Sequence, residues 1–298
     1  MAKIIVIGSS NTDMVIQSDR LPAPGETVLG GTFFMNPGGK GANQAVAAAR
    51  LGGETYFITK VGKDVFGESA LKQFAQEGIH GQFIFQDDLH PSGIALINVD
   101  THGENSITVA SGANAHLMPQ DIKAAVSLFQ PGNCILLQLE IPLETVIYSV
   151  QQAKQAGLSV VLNPAPACEL PESLYADLDI ITPNETETEF LTGIQPVDEA
   201  SLIQASDYFL SRGVKRVVIT RGSQGAYWKT KESSGHILAQ QVVAVDSTAA
   251  GDCFNGALVV ALSEGQDFEQ AIAFACRAAA ISVTQLGAQA SMPRREQL

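Results

Sequence analysis

The segment from Ala244 to Leu258 reads A-V-D-S-T-A-A-G-D-C-F-N-G-A-L. Small residues lead into a helix expected to begin near Gly251. The free N–H groups of its first turn, together with the helix dipole, would make an anion site. Ala249, Ala250 and Gly251 would let a phosphate approach the backbone. Asp252 would then lie beside that anion, where a carboxylate is unfavourable unless it takes a proton or meets a cation. A general base fits this place: it accepts a hydroxyl proton while the hydroxyl oxygen attacks a phosphoryl group, and the Gly251 region meets the charge that develops. A helix-terminal acid near an N-cap would put the same residue there for stability alone.

Other segments could supply the acceptor and the nucleotide. Pro37 to Asn43 is P-G-G-K-G-A-N. Gly41 follows Lys40 where a Walker A loop needs Ser or Thr, and the run is not G-x-G-x-x-G. Backbone N–H groups, Lys40 and Asn43 suit several hydroxyls, hence a polyol. Ser10 to Asp13 (S-N-T-D) follows the carboxyl end of the first strand, where ligands bind in open α/β sheets. In extended backbone Asn11 and Asp13 point the same way and can fork onto vicinal hydroxyls. Glu140 ends another apolar strand by the same logic. In Thr182 to Glu187 (T-P-N-E-T-E), Asn184 and Glu187 are i, i+3 neighbours, able either to hold a hydrated Mg²⁺ near phosphates or to cap a helix. Thr220 to Gly225 (T-R-G-S-Q-G) could wrap a nucleotide's phosphates or ribose, or be a bare glycine turn. The five histidines share no metal-ligand spacing, and no G-x-S-x-G nucleophile elbow occurs.

The elements that must position these residues alternate. Lys3 to Gly8 predicts a buried strand, and Gly38 to Gly52 a glycine-rich turn feeding an Ala-rich helix. Strands follow at 55–61, 134–139, 159–162, 179–181, 216–220 and 241–245. Helices are expected at 68–77, 119–129, 143–156, 199–212, about 253–262 and 268–283. Such alternation means βαβ units and a mostly parallel sheet covered by helices on both faces. Two stretches break the pattern. Residues 14–34 lack a helical period, and residues 92–110 read as a hairpin turning at Asp100 to Glu104. Strands outside the alternating core would form a small sheet acting as a lid. No repeat or linker divides the chain, so residues 1–298 are expected to be one domain.

The 298 residues are 45% hydrophobic and 16% charged, which leaves no room for long disorder. Eighteen basic against 31 acidic residues give a net charge of −13, which argues against nucleic acid and anionic membrane surfaces as partners. Four scattered cysteines without C-x-x-C spacing fit a reducing cytoplasm. No apolar signal region and no run of 18 apolar residues is present.

Taken together and in order, these segments resemble the ribokinase family of carbohydrate kinases. The likeness runs from I-V-I-G-S-S-N-T-D to G-A-Q-A-S-M-P. It is close at P-A-P-G-E-T, G-G-K-G-A-N-Q-A-V-A-A-A-R, L-N-P-A-P-A, D-I-I-T-P-N-E-T-E and D-S-T-A-A-G-D-C-F-N-G-A-L. The resemblance implies a three-layer α/β/α sandwich with a mostly parallel central sheet and a small β-sheet lid that also makes a homodimer contact. It implies phosphoryl transfer from ATP to the 5-hydroxyl of D-ribose, so that the partners are a small-molecule sugar and ATP. Carried over by position, Asn11, Thr12, Asp13, Gly39, Lys40, Gly41, Ala42, Asn43 and Glu140 would bind the sugar, and Asp252 would deprotonate it. Asn184, Thr220, Arg221, Gly222, Ser223, Gln224, Gly225, Gly251, Asp252 and Cys276 would hold ATP, with Glu187 in the Mg²⁺ and phosphate environment. Asp246, Thr248, Ser282, Gln285, Gly287 and Ser291 would surround K⁺. The loop departs from the frequent D-T-T-G-A-G-D, since Ser247 keeps a hydroxyl and Ala249 replaces a glycine. Cys276 stands where relatives often place a polar residue near the adenine.

The same fold could serve 2-deoxyribose, fructose or a nucleoside, or a non-catalytic sugar sensor. Asn11 and Asp13 favour a hydroxyl-rich acceptor, because a missing hydroxyl would leave one of them unpaired at about 1–3 kcal/mol. Asp252 argues against a pure binder, and the missing G-x-G-x-x-G argues against a dinucleotide oxidoreductase.

Overall fold

The computed structural model describes residues 2–298. Strand β1 (Ile4–Ile7) has no exposed side chain, as a β-branched run covered on both faces requires. Its alternation sorts the core: Ile4 and Val6 pack into one apolar layer, Ile5 and Ile7 into the other. In chain order follow β2 (Asn11–Gln17), β3 (Thr32–Gly38), α1 (Lys40–Arg50), β4 (Thr55–Gly62), α2 (Val65–Gln76), β5 (His80–Asp87), β6 (Gly93–Val99), β7 (Asn105–Ala110) and α3 (Pro119–Ala124). The second half holds β8 (Cys134–Leu137), α4 (Leu143–Gln155), β9 (Ser159–Leu162), α5 (Glu172–Tyr175), β10 (Ile180–Ile181), α6 (Glu185–Thr192), α7 (Glu199–Ser211), β11 (Arg216–Thr220), β12 (Ala226–Lys229), β13 (Ser234–Ile237), α8 (Ala250–Ser263) and α9 (Phe268–Ser282).

Nine strands form the central sheet in the order β13-β12-β11-β10-β9-β8-β1-β4-β5, parallel from β11 to β5 and antiparallel at β12 and β13. Helices α1, α8 and α9 cover one face, and α4 and α7 cover the other. This is the three-layer α/β/α sandwich. The lid is a separate four-stranded sheet, β3-β2-β6-β7. Its strands run at 11–17, 32–38, 93–99 and 105–110, so the first pair extends beyond the expected 14–34 at both ends and the second falls within 92–110. The hairpin turns between Val99 and Asn105 as read. Among the described residues no helix is long and apolar enough to cross a membrane.

One expected strand is absent. Residues 241–245 are irregular and exposed, and the Val245 and Asp246 N–H groups both donate to the Val283 carbonyl instead of a sheet neighbour. The edge strand is Ser234–Ile237, which pairs with β12. Helix α2 starts at Val65, three residues before the expected Glu68, because the Asp64 carboxylate caps Phe66 and Gly67. The expected helix 119–129 stops at Ala124 and gives way to a 3₁₀ turn at 126–128. Helix α8 starts at Ala250, one residue from the start near Gly251 that its small-residue loop suggests and ahead of the span 253–262.

The two connections that join the β6–β7 hairpin to the core are tied together. Asp64 also accepts hydrogen bonds from the Ser92 N–H at 2.7 Å and the Ser92 hydroxyl at 2.7 Å. The His90 ring, before β6, stacks on the His116 ring, after β7, with centroids 3.4 Å apart. On the other side of the site, α1 and α8 pack backbone to backbone. A Cβ on Gly256 would lie 2.7 Å from Ala47 Cβ and 2.8 Å from the Gln44 carbonyl oxygen. Gly256→Ala should therefore lower stability by about 1–3 kcal/mol in a chemical denaturation curve, since backbone cannot step aside as a side chain would. An unchanged midpoint would mean the two helices are free to separate.

Candidate active site

Helix α8 opens with an unusual residue. Ala249 is its N-cap, at φ 59° and ψ 17°, and among the described residues it is the only non-glycine residue with positive φ. No side chain caps the helix there. The Ala250 N–H reaches the Ser247 carbonyl at 3.2 Å and the Cys253 N–H reaches Ala249 at 2.9 Å. The Gly251 and Asp252 N–H groups between them have no protein acceptor. A Cβ at Gly251 would meet nothing within 4 Å, so no other part of the protein crowds that side of the turn. That is the geometry of an anion site.

Asp252 lies in the same turn and is only 6% exposed. Asn43 Nδ2 donates to its Oδ2 at 2.9 Å, and Gln44 Nε2 donates to its Oδ1 at 2.9 Å. Burial pushes the carboxyl pKa up, the Lys40 ammonium and the two amides pull it down, and Glu140 adds to the rise, leaving it above the ordinary value. Both oxygens thus receive donors, which suits an acceptor of protons. The Asn43 Oδ1 atom is buried and has no partner in the protein. It belongs to the same amide that donates to Asp252, and a hydroxyl brought to that carboxylate would satisfy it.

The sugar-side residues converge on this point. Asn11 and Asp13 share one face of β2, Asn11 over Gly93 and Asp13 over Gly38, both positions where any Cβ would collide. Thr12 is on the opposite face with Met14 and Ile16, turned from the cleft by strand alternation. Gly39 takes φ 87° at the turn into α1. The Lys40 N–H and the Ser9 hydroxyl both donate to Glu140 Oε2, at 3.0 and 2.5 Å. The amides of Gly41 and Ala42 are engaged by Ser9 Oγ and the Ser9 carbonyl, and Gly41 lies against the Gly8 backbone too closely for a side chain. Asn114 has no sequence signal yet holds the acceptor side of the cleft, its Nδ2 donating to Asn11 Oδ1 at 2.7 Å and to the Ser10 carbonyl. Asn11, Asn114 and Glu140 line a cavity of about 380 Å³.

Electrostatically the site is overloaded with carboxylates. Burial, then Glu140 and Asp252, raise the Asp13 carboxyl to about 6. Glu187 is raised by burial, against the pull of the Asn184 N–H and Lys40. Burial disfavours the Lys40 ammonium, but Asp252, Glu140 and Glu187 outweigh it and raise its pKa. One ammonium faces several acids, an imbalance that a cationic ligand would relieve.

On the nucleotide side, Asn184 and Glu187 form a capping box on α6. Asn184 Oδ1 accepts from the Glu187 N–H at 2.8 Å, and Glu187 Oε2 accepts from the Asn184 N–H at 2.9 Å. Asn184 also bridges to Thr220 at the carboxyl end of β11. Residues Gly222, Ser223 and Gln224 make a 3₁₀ turn closed by Gly225, where a Cβ would lie 1.9 Å from the Ile237 carbonyl oxygen. Arg221 faces Glu185 at 3.4 Å. Cys276 on α9 lines a groove of about 560 Å³ with Leu238, Gln240, Gln270 and Arg277, and burial raises its thiol to about 12, so it meets a ligand as a neutral apolar group.

Of the residues expected around a monovalent cation, Asp246, Thr248 and Gly287 are joined across two loops. Asp246 Oδ1 accepts from the Thr248 N–H and Oδ2 from the Gly287 N–H, each at 2.9 Å. The Gln285 N–H donates to the Ser282 carbonyl, while the hydroxyls of Ser282 and Ser291 turn to the Ala279 and Ala288 carbonyls. This donor set is all oxygen, hydroxyl and carbonyl with one carboxylate, which fits a hard cation. For a divalent ion, no group of three His, Cys, Asp or Glu side chains among the described residues is arranged as a ready-made site.

A family model described as pfkB family carbohydrate kinase matches residues 1–295. The chain is 46% identical to a ribokinase of Haemophilus influenzae, over 99% of this chain and 96% of that protein. It is 40% identical to a deoxyribokinase of Salmonella typhi, again over 99% and 96%. A ribokinase from Arabidopsis thaliana, solved with ribose and ATP, superposes with a TM-score of 0.94 at 33% identity, covering 99% of this chain and 97% of that one. Likeness that spans every element from β1 to α9, in sequence and in coordinates, permits one assignment: the chain belongs to the pfkB family of carbohydrate kinases.

Proposed function

We propose that this protein is an ATP-dependent ribose kinase that transfers the γ-phosphoryl group of ATP to the 5-hydroxyl of D-ribose. The observation that carries the reading is Asp252: a buried carboxylate with donors on both oxygens, in the same helical turn as two N–H groups without acceptors. The carboxylate takes the 5-hydroxyl proton as that oxygen attacks phosphorus and ADP leaves. The Gly251 and Asp252 N–H groups, the helix dipole and Lys40 meet the negative charge on the transferred group. Asn11 and Asp13 fork onto neighbouring ring hydroxyls, with Glu140 and Asn43 Oδ1 completing the sugar's partners. The turn at 220–225, Asn184 and the groove at Cys276 take the nucleotide.

Mg²⁺ bound with ATP would supply charge neutralisation between the phosphates, with Glu187 as the nearby carboxylate. K⁺ would sit among Asp246, Thr248, Ser282, Gln285, Gly287 and Ser291. There it would hold the loop before α8 in the shape that the left-handed Ala249 requires. The lid supports a homodimer. Its site-facing side carries Asn11, Asp13 and Val15, while Ile16, Phe33, Met35 and Leu96 share the other face and are 42–57% exposed. A second lid sheet would cover that apolar face. Four cysteines without a disulfide are in keeping with a cytoplasmic setting.

A 2-deoxyribose acceptor is the second reading, favoured by the Salmonella relative and disfavoured by the pairing of Asn11 with Asp13. ADP release with Mg-ATP and K⁺ should be fastest on ribose when compared with 2-deoxyribose, fructose and adenosine. A different preferred sugar would move the assignment within the family, and binding without turnover on all four would make the protein a sensor. Asp252→Asn should cut kcat by about 10³-fold or more while ribose still binds in calorimetry; near-normal turnover would remove Asp252 as the base. Because the Asp13 carboxyl sits near 6, the KM for ribose should climb as pH falls from 7 to 5, and Asp13→Asn should flatten that dependence. Between about pH 4 and 6 the folded protein holds a proton on Asp13 that the unfolded chain has lost. The ligand-free fold therefore weakens as pH rises through that window, and Asp13→Asn should melt above the parent at pH 7.5. A ribose KM that is flat from pH 5 to 8 in the parent would exclude Asp13 from hydroxyl binding.

A further inference from the structure

Behind Asp252 lies a chain of buried amides. Gln44 and Gln138 are both 0% exposed. The two N–H bonds of the Gln44 amide are both used, one on Asp252 Oδ1 at 2.9 Å and one on Asn163 Oδ1 at 3.0 Å. Its carbonyl oxygen accepts from Gln138 Nε2 at 2.6 Å. Asn163 is itself fixed, its Nδ2 donating to the Thr182 carbonyl at 3.2 Å. Each amide therefore dictates the next. If Gln44 were flipped, its oxygen would face Asp252 and Asn163, both acceptors, and its NH₂ would face the NH₂ of Gln138.

Gln138 keeps this order at a cost. Its Oε1 is buried without a partner, and Gly8 makes room for it: a Cβ there would lie 2.0 Å from that oxygen. An apolar side chain of the same size would remove the orphaned Oε1, but it would leave the buried Gln44 carbonyl oxygen without its donor. An amide kept at a fully buried position under those terms points to the one thing it controls, which is the polarity of Gln44.

We propose that Gln44 and Gln138 are positioning residues for phosphoryl transfer: Gln138 sets which end of the Gln44 amide faces Asp252, and Gln44 holds the Asp252 carboxylate in the orientation that receives the hydroxyl proton. This rests on the reading of Asp252 as the base. Gln138 does not touch Asp252, so its effect must pass through Gln44.

Isosteric charge variants test it in the full-length protein. In Gln138→Glu the carboxylate accepts where the amide donated, so Gln44 turns its NH₂ toward residue 138 and its oxygen toward Asp252. The expected result is a kcat about 10–100-fold lower, a ribose KM within threefold of the parent, and an acid limb of the kcat/KM profile moved up by about one pH unit. Gln44→Glu should move the same limb in the same direction. In the Asp252→Asn background, Gln138→Glu should change residual turnover by less than twofold, because no carboxylate is left to orient. Should Gln138→Glu not fold, Gln138→Met keeps the volume and removes only the donor, with kcat expected to fall about 3–10-fold at unchanged ribose KM. An inactive Asp252→Asn beside Gln138 and Gln44 variants of parental kcat and pH profile would overturn the positioning role alone. Near-parental turnover in Asp252→Asn would overturn the base and, with it, the role built on it. A raised ribose KM at unchanged kcat would also overturn the proposal, since the amides would then be shaping the sugar pocket.

Discussion

A carboxylate that acts as a base has to remain ionised, and burial works against that. Asp252 is 6% exposed and close to Glu140, both of which favour its neutral form. What opposes them is local: the Lys40 ammonium, the amides of Asn43 and Gln44, and the N-terminus of α8 on which the residue sits. Lys40, Asn43 and Gln44 are all on α1. The site therefore depends on how closely α1 approaches α8. The fold secures this with glycine, since Gly256 lies one turn beyond Asp252 on α8 and meets the backbone at Gln44 and Ala48. Gly41 in turn lets α1 lie against the Gly8 backbone at the end of β1. The distance from base to donors is set by backbone contact, which is stiffer than any side-chain contact.

The same constraint explains Ala249. A left-handed alanine costs about 1–2 kcal/mol relative to an ordinary conformation. It is retained where the chain must turn sharply from the loop at Asp246 into a helix whose first turn leaves two N–H groups without protein acceptors. A side-chain cap would have been more stabilising, but it would have occupied the donors that a phosphate needs. Asp246 compensates from outside by tying Thr248 and Gly287 together, so the strain is enclosed between two hydrogen-bonded loops.

How far the sequence disclosed this differs by residue. The buried strands were legible because a β-branched run such as I-I-V-I has few other uses, and Asn11 with Asp13 because alternation alone puts them on one face. Thr12 follows from the same rule in the opposite sense, since a motif match carries it along while strand geometry turns it away. Val242, Val243 and Val245 looked like a strand, yet their backbone belongs to the loop that Val283 holds, a contact made across 38 residues. Asn184 and Glu187 had two readings, cap and phosphate neighbour, and the structure shows the capping box with Glu187 still facing Lys40. Gln44 and Asn163 fall inside segments that carry the family resemblance yet received no role, and Gln138 and Asn114 left no mark, because amides that meet through tertiary contact have neither spacing nor periodicity to reveal their partners.

The lid adds the remaining link. Asn11 and Asp13 are lid residues, whereas Glu140, Asn43 and Asp252 are core residues, so a sugar held by both sets joins the two sheets. Without the sugar, burial and then the core carboxylates Glu140 and Asp252 push Asp13 toward neutrality, so lid and core meet at this point through groups whose like charges oppose each other. Hydroxyl donors from a bound sugar would stabilise those carboxylates in their ionised form and turn repulsion into attraction. Meanwhile Asp64, Ser92 and the stacked His90 and His116 tie the two connections of the β6–β7 hairpin to each other and to the core. Closure would then be driven by the acceptor, so that water is excluded when a sugar hydroxyl, and not water, stands beside Asp252.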